Sequence, residues 1–239
     1  NASSSTTSFA YTLGGGTATG GGTDYSNATF SNGVTLVAGN LVVPAGVTSF
    51  TVTVPTSLDT IDEGASETYN VSVGGVAAVG TITDDDNAPT VQSVTAASQT
   101  EGTDLVHTVT LSNASSVATT HSFALAGNTA SAGDFGAPVF SNGVTLAAGV
   151  ITVPAGVTSF TVTIPTVDDT TAEASETLDL TVGGVGAVGT IADNDSTPTV
   201  QSVSAATQVE GVSLVHTVTL TNASSSTTSF AYTLGGGTA

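Results

Sequence analysis

The 239 residues carry 19 Asp and Glu, no Lys and no Arg, a formal net charge of −19, and 39% hydrophobic residues. That hydrophobic share supports a packed core rather than a disordered acidic tail, and without basic residues nucleic acid and anionic lipid are excluded as partners, because both need Lys and Arg to displace counterions. With no Cys and no Lys, disulfides and Lys–Asn isopeptide cross-links are also excluded, which leaves metal as the staple available to small β domains.

The abundance of Thr, Val, Ser, Gly and Ala and the lack of Met predict strands and turns rather than helix. No apolar run approaches the roughly 20 residues of a membrane span, so no direct membrane insertion is expected. No signal peptide is present either, and the chain is expected to be an internal segment of something larger.

Internal repeats organise the chain. The sequence from Thr90 (TVQSVTAASQTEG) returns from Thr199 as TVQSVSAATQVEG, FSNGVTL at Phe30 returns at Phe140, and VPAGVTSFTVT at Val43 returns at Val153. The unit is therefore about 110 residues long. A longer period lies above it, since Asn1–Ala18 and Asn222–Ala239 are identical while the copy from Asn113 has diverged. A tandem array of two-unit blocks is the expectation.

In chain order, residues 1–87 are predicted to form a partial β-sandwich repeat that lacks its first two strands. Here Phe50, Val52 and Val54 alternate with polar residues, then a loop holds Asp59, Glu63 and Glu67, and TITDDDN closes the repeat. Residues 88–197 are predicted to form a complete repeat. Its period-2 alternation places strands at 90–97, 104–112, 120–126, 139–141, 150–153, 158–164, 176–182 and 188–192, with Asn142–Gly143, Pro154–Gly156 and Gly183–Gly184 as turns. Residues 198–239 hold the first strands of a further repeat. Seven or eight short strands at this spacing describe an all-β, immunoglobulin-like β-sandwich. His107 and His216 fall in phase with apolar strand positions and are read as core-side residues rather than ligands.

The acids fall at strand ends and in loops. In the complete repeat they are Glu101, Asp134, Asp168, Asp169, Glu173, Glu176, Asp193 and Asp195; in the first, Asp24, Asp59, Glu63, Glu67, Asp84, Asp85 and Asp86; in the last, Glu210. Only Asp62, Asp104 and Asp179 stand outside the pattern. Carboxylates about 5 Å apart repel by roughly 3 kcal/mol per pair at an effective dielectric near 20, so a dense group without a base must be solvated apart or must hold a cation. A first strand of about ten residues spans roughly 30 Å. That length carries Glu101 to the end where the last strand finishes, and Glu101 is expected to meet Asp193 and Asp195. Oxygen donors without His or Cys, with loop carbonyls such as that of Thr171, suit several six- to eight-coordinate Ca²⁺ ions per repeat.

This arrangement resembles the Calx-β family, named for the calcium-sensing domains of the sodium/calcium exchanger. The residues that carry the resemblance are GTDY at Gly22–Tyr25, the strand TSFTVTVP, the acidic loop with Asp59, Glu63 and Glu67, and TITDDDN at Thr81–Asn87. The resemblance implies calcium ligands at Glu101, Asp134, Asp168, Asp169, Glu173, Glu176, Asp193 and Asp195, with Asn194 where a third aspartate is implied. In the first repeat Leu58 replaces the leading aspartate of the loop and Gly64 is inserted. The near-identical tandem copies also resemble the extender repeats of giant bacterial adhesins of the repeats-in-toxin class. That likeness implies an extracellular, cell-surface stalk stiffened by calcium between neighbouring repeats, serving attachment or biofilm cohesion. No nucleophile, base and orienting acid stand together, so no catalysis is expected. Two other readings stay open: identical subunits joined into a fibre by strand complementation, or a module that binds glycan, ice or another cell.

Overall fold

The computed structural model describes residues 2–237; Asn1, which opens the first copy of the identical block, and Thr238 and Ala239, which close its last copy, lie outside the described residues. Every regular element among them is a strand. Two compact units form, Asn1–Pro89 with Asn113–Thr119, and Thr90–Ser112 with Thr120–Ala239. Asn113–Thr119, within the predicted 88–197 repeat, thus packs with the first unit.

In the first unit the strands are β1 (Thr7–Gly14), β2 (Thr29–Phe30), β3 (Thr35–Val37), β4 (Asn40–Val43), β5 (Val52–Thr53), β6 (Ile61–Asp62), β7 (Glu67–Val73) and β8 (Val76–Ile82). One sheet has the order β3-β4-β1-β7-β8, and β2 pairs with β5 in a second. A small core of Val34, Leu41 and Val43 packs with Tyr11, Phe30, Phe50 and Val73.

The chain then forms β9 (Val91–Val94), β10 (Ala97–Thr100) and β11 (Leu105–Leu111) in the second unit, and β12 (Ala114–Ser115) in the first. There follow β13 (Thr119–Gly127), β14 (Val139–Phe140), β15 (Thr145–Ala147), β16 (Val150–Val153), β17 (Ser159–Ile164), β18 (Thr171–Ala172), β19 (Glu176–Val182) and β20 (Val185–Ala192). The last strands are β21 (Val200–Val203), β22 (Val218–Leu220) and β23 (Ala223–Ser224).

The second unit is a β-sandwich of a sheet ordered β10-β20-β19-β13-β16-β15 and a sheet ordered β14-β17-β11-β9. The predicted alternation accounts for it. Leu105, His107, Val109 and Leu111 of β11 point inward, as do Phe160, Val162 and Ile164 of β17, and from the other sheet Ile151, Leu178, Leu180 and Val182 close the same cluster. Each such side chain contributes about 1.5–3 kcal/mol on burial.

One predicted strand is two. Over 90–97 the chain leaves one sheet for the other: β9 runs antiparallel to β11, whereas β10 runs parallel to β20. Thr95 sits at the switch, where its Oγ1 accepts the Thr108 N–H (2.8 Å) and its carbonyl accepts Nδ1–H of the buried His107 (2.7 Å). These bonds satisfy backbone that a continuous ladder would otherwise pair. The predicted Asn142–Gly143 turn is present with both residues at positive φ (54° and 73°), and Ala148–Gly149, between β15 and β16, does the same at 49° and 77°.

Candidate metal centre

The fold gathers acids at the strand ends. β10 lies parallel to β20 and carries Glu101 one residue past Thr100, where its N–H donates to the Ala192 carbonyl (3.0 Å), and β20 leads directly into Asp193. Glu101, Asp193 and Asp195 therefore each offer an oxygen within 4.8 Å of the others, and all three are partly buried. A second group is formed by Asp134, Glu173 and Glu176 at the same separation. Both groups border one small cleft of about 20 Å³, lined by Glu101, Asp134, Asp169, Glu173, Glu176 and Asp193. That is room for one or two bodies the size of a water or an ion.

Backbone donors hold the cluster. Asp193 accepts the Glu173 N–H at Oδ2 (2.9 Å) and the Asp195 N–H at Oδ1 (3.0 Å), while Glu101 Oε1 accepts the Asn194 N–H (3.3 Å). Thr171 opens β18, and its N–H donates to Asp169 Oδ1 (2.6 Å). Asp168 is exposed and stands outside both groups; its Oδ1 accepts the side-chain N–H of Asn194 (2.9 Å). Asn194, standing where the resemblance implies a third aspartate, thus replaces a repulsion with a hydrogen bond.

In the first unit, Asp84, Asp85 and Asp86 form a group with oxygens within 4.8 Å, Asp85 being exposed. Asp84 Oδ2 accepts the Glu63 N–H (3.0 Å), as Asp193 does for Glu173, and Asp59 Oδ1 accepts the Ile61 N–H (2.8 Å). Asp24 accepts the Thr19 N–H and shares a hydrogen bond with Glu67. Asp62, which the repeat comparison set aside, is only 6% exposed. It occupies the place that Ala172 holds in the next repeat, its Oδ1 accepts the Gly64 N–H (3.1 Å), and its charge bears on Asp86. A burial difference of this kind has no signature in residue type alone. Glu210 is exposed and joins none of the three groups.

The electrostatics are those of acids without a counterion. Glu101, Glu173 and Asp195 are raised above the usual carboxylate range, first by loss of solvent and then by neighbouring carboxylates, Asp193 and Asp169 bearing on all three; in Glu101 and Asp195 a hydrogen bond pulls the other way. Glu176 is pushed up to about 7 by desolvation, by its hydrogen bond with Asp134, and by the charges of Asp134, Glu173 and Glu101. That pair holds a proton between its oxygens near neutrality. In the first unit Glu63, Glu67 and Asp86 are raised from the same first cause, desolvation, with neighbouring acids adding to it. Asp195 Oδ2, moreover, is buried without a hydrogen-bond partner. An orphaned carboxylate oxygen, an oxygen-only donor set and a cleft of ionic size together fit a hard metal cation.

The acidic loops are also tied to a segment of the following repeat that comes after that repeat's first strands. In the first unit β6 pairs parallel with β12, and the Asp62 carbonyl accepts Ser115 Oγ–H (3.0 Å) and the Ser116 N–H (2.8 Å). The second unit repeats this with β18 and β23: the Ala172 carbonyl accepts Ser224 Oγ–H (3.1 Å) and the Ser225 N–H (3.1 Å). Beside these bonds, Asn113 Nδ2–H donates to the Asn87 carbonyl (2.9 Å), and Asn222 Nδ2–H to that of Ser196 (2.8 Å). The motif Asn-Ala-Ser-Ser thus grips a loop one residue from Glu63 or Glu173.

No protein-family model matches the chain, and no curated protein matches it. Among solved structures it is similar to the crystal structure of calcium binding domain CBD12 of CALX1.1, at 17% identity over 74% of this chain and 68% of that one, with a TM-score of 0.29. It is similar also to CBD12 from CALX1.2 (16% identity, 76% and 69% covered, TM-score 0.27) and to the I9–I11 tandem from titin (10%, 84% and 64%, TM-score 0.23). With superpositions this loose, the sandwich is established by the chain's own sheets.

Proposed function

We propose that this chain is a stalk segment of a long extracellular protein, and that Ca²⁺ held by the acidic groups stiffens the joints between successive repeats. The reading places it on a bacterial cell surface, in contact with neighbouring repeats of the same protein, where it projects a distal binding region for attachment or biofilm cohesion. Its role is mechanical rather than catalytic. The observation that carries this is the coupling just described, in which the loop supplying Glu173 and Asp169 is hydrogen-bonded at Ala172 to Ser224 and Ser225 of the following repeat.

In the second unit, Glu101, Asp193 and Asp195, and next to them Asp134, Glu173 and Glu176, are the residues that hold the ions. Bound calcium supplies positive charge that offsets the mutual repulsion of these carboxylates. The chain's own part is to fix their oxygens through the N–H groups of Glu173, Asn194 and Asp195, and to transmit the order of the loop to Ser224 and Ser225. Extracellular calcium modules bind at about 10⁻⁴–10⁻³ M, so such joints are firm outside cells and slack after chelation. Hydrogen exchange tests the coupling: calcium should slow exchange at the Glu173 and Ser225 amides together. Protection that rises at Glu173 while Ser225 is unchanged would remove the mechanical link.

A further inference from the structure

Among the described residues of the second unit, His107 is the buried side chain that is polar. It sits on β11 between the inward Leu105 and Val109, lies opposite Val162 of β17 and is 0% exposed. A carbonyl can only accept, so the 2.7 Å contact with the Thr95 carbonyl assigns the ring proton to Nδ1, and Nε2 is buried without a partner. A buried nitrogen left unpaired costs stability that an apolar side chain would not. Core packing therefore does not account for an imidazole at this position. The same contact recurs between His216 Nδ1 and the Ser204 carbonyl, again at 2.7 Å.

The contact falls where the chain changes sheets. Thr95 is exposed, yet it is pinned three times: its N–H donates to the Thr108 carbonyl (3.0 Å), its Oγ1 accepts the Thr108 N–H (2.8 Å), and its carbonyl accepts from His107. Next come Ala96 and Ala97, two adjacent side chains of one size. Where side chains do not distinguish the two faces of a strand, its register is weakly specified. Here Ala97 pairs with Gly189 and packs against the core, while Ala96 is exposed. The choice decides what happens at the far end of β10. A slip of one residue would move Glu101 by about 3.3 Å and turn it to the opposite face, whereas its oxygen lies within 4.8 Å of those of Asp193 and Asp195.

We propose that His107 is a positioning residue for the metal centre. By holding the Thr95 carbonyl it fixes the point at which the chain leaves one sheet for the other, and with it the register that delivers Glu101. Of the three bonds on Thr95, this one alone comes from another residue's side chain; the other two use the Thr108 backbone. The effect on ions rests on the calcium reading; the effect on register does not.

Two substitutions in the 239-residue chain separate the lock from the packing. His107→Leu keeps an apolar side chain of similar volume and removes the donor, whereas His107→Asn keeps a donor where Nδ1 stands and gives up volume. Hydrogen exchange at the Glu101 amide, which donates to the Ala192 carbonyl, reads the register in chelator. The calcium concentration that half-protects the Glu173 amide reads the site. His107→Leu should melt no lower than His107→Asn in chelator. Even so, it should speed Glu101 exchange and raise the calcium requirement by about fivefold or more, approaching the ten- to hundred-fold of a direct outer partner of a metal ligand. His107→Asn should stay close to the parent in both readouts. A purely structural histidine would make both readouts follow the melting temperature, with His107→Asn the worse; that order, or an unchanged His107→Leu, overturns the proposal. Thr95→Val removes another bond of the same lock at an exposed position, and serves if His107→Leu does not fold: unchanged Glu101 exchange in that variant overturns the proposal too. If calcium protects nothing in the parent while His107→Leu still speeds Glu101 exchange, the calcium reading falls and the register role stands.

Discussion

Removing calcium should invert the pH dependence of stability, and Glu176 is where this can be read. In the metal-free fold Glu176 lies at about 7 instead of 4.5, held there by desolvation and by its shared hydrogen bond with Asp134. A folded-state value above the unfolded one means that the native protein binds more protons between these limits. Its contribution is therefore present at low pH and is lost as pH rises from about 4.5 through 7. At full strength the displacement is worth about 3 kcal/mol; solvent screening at this half-open cleft reduces it to about 1–2 kcal/mol. In a unit of this size that is a fall in Tm of about 4–8 °C between about pH 5 and pH 7.5. Calcium reverses the sign, because ligating carboxylates must be deprotonated. Glu176→Gln keeps a hydrogen-bond donor to Asp134 without the proton, so the metal-free variant should lose most of this slope and melt higher than the parent near pH 7.5. Calorimetric scans in chelator at several pH values provide the assay. A metal-free parent that gains stability from pH 5 to 7.5, or a variant that melts lower than the parent in chelator, refutes the reasoning.

Three further outcomes follow from named contacts. Glu101→Gln removes one of three oxygens gathered with Asp193 and Asp195, and should weaken calcium binding by titration calorimetry at least as much as the ten- to hundred-fold typical of losing an outer partner of a metal site. Leu180→Ala empties a fully buried core position and should cost about 2–5 kcal/mol in denaturant unfolding, with or without calcium. Ala148 holds φ at 49° in a two-residue turn before Gly149; Ala148→Asn, better suited to that conformation, should raise stability by about 0.5–1 kcal/mol in the same assay.

The strands of the second unit were legible because their residues obey a two-residue period. Glu176–Val182 reads the same from sequence and structure, Ser159–Ile164 differs from its predicted span of 158–164 by one residue, and strand length carried Glu101 to the end occupied by Asp193 and Asp195. The sheet switch at Thr95 was not legible: no Gly or Pro marks it, and the bonds that permit it come from Thr108 and His107, distant in sequence. The pairing of β6 with β12 was hidden for a similar reason. Two residues make no pattern, and Ser115 draws its meaning from an Asp62 carbonyl that the repeat boundary assigns to another unit. The acidic groups were visible as composition, but their partition was not. Asp168 lies outside both groups and accepts a hydrogen bond from Asn194, and Asp62 enters the first unit's site through burial, which residue type does not encode.

The central claim is that carboxylates without any basic partner draw their order from a divalent cation. Differential scanning calorimetry of this chain, in millimolar calcium and then in chelator at neutral pH, tests it most directly. A single site at about ten times its dissociation constant adds about 1.4 kcal/mol to the folded state, so the calcium scan should lie higher by about 5 °C for each such site, with magnesium giving a smaller shift. Superimposed scans in calcium and chelator would contradict the account.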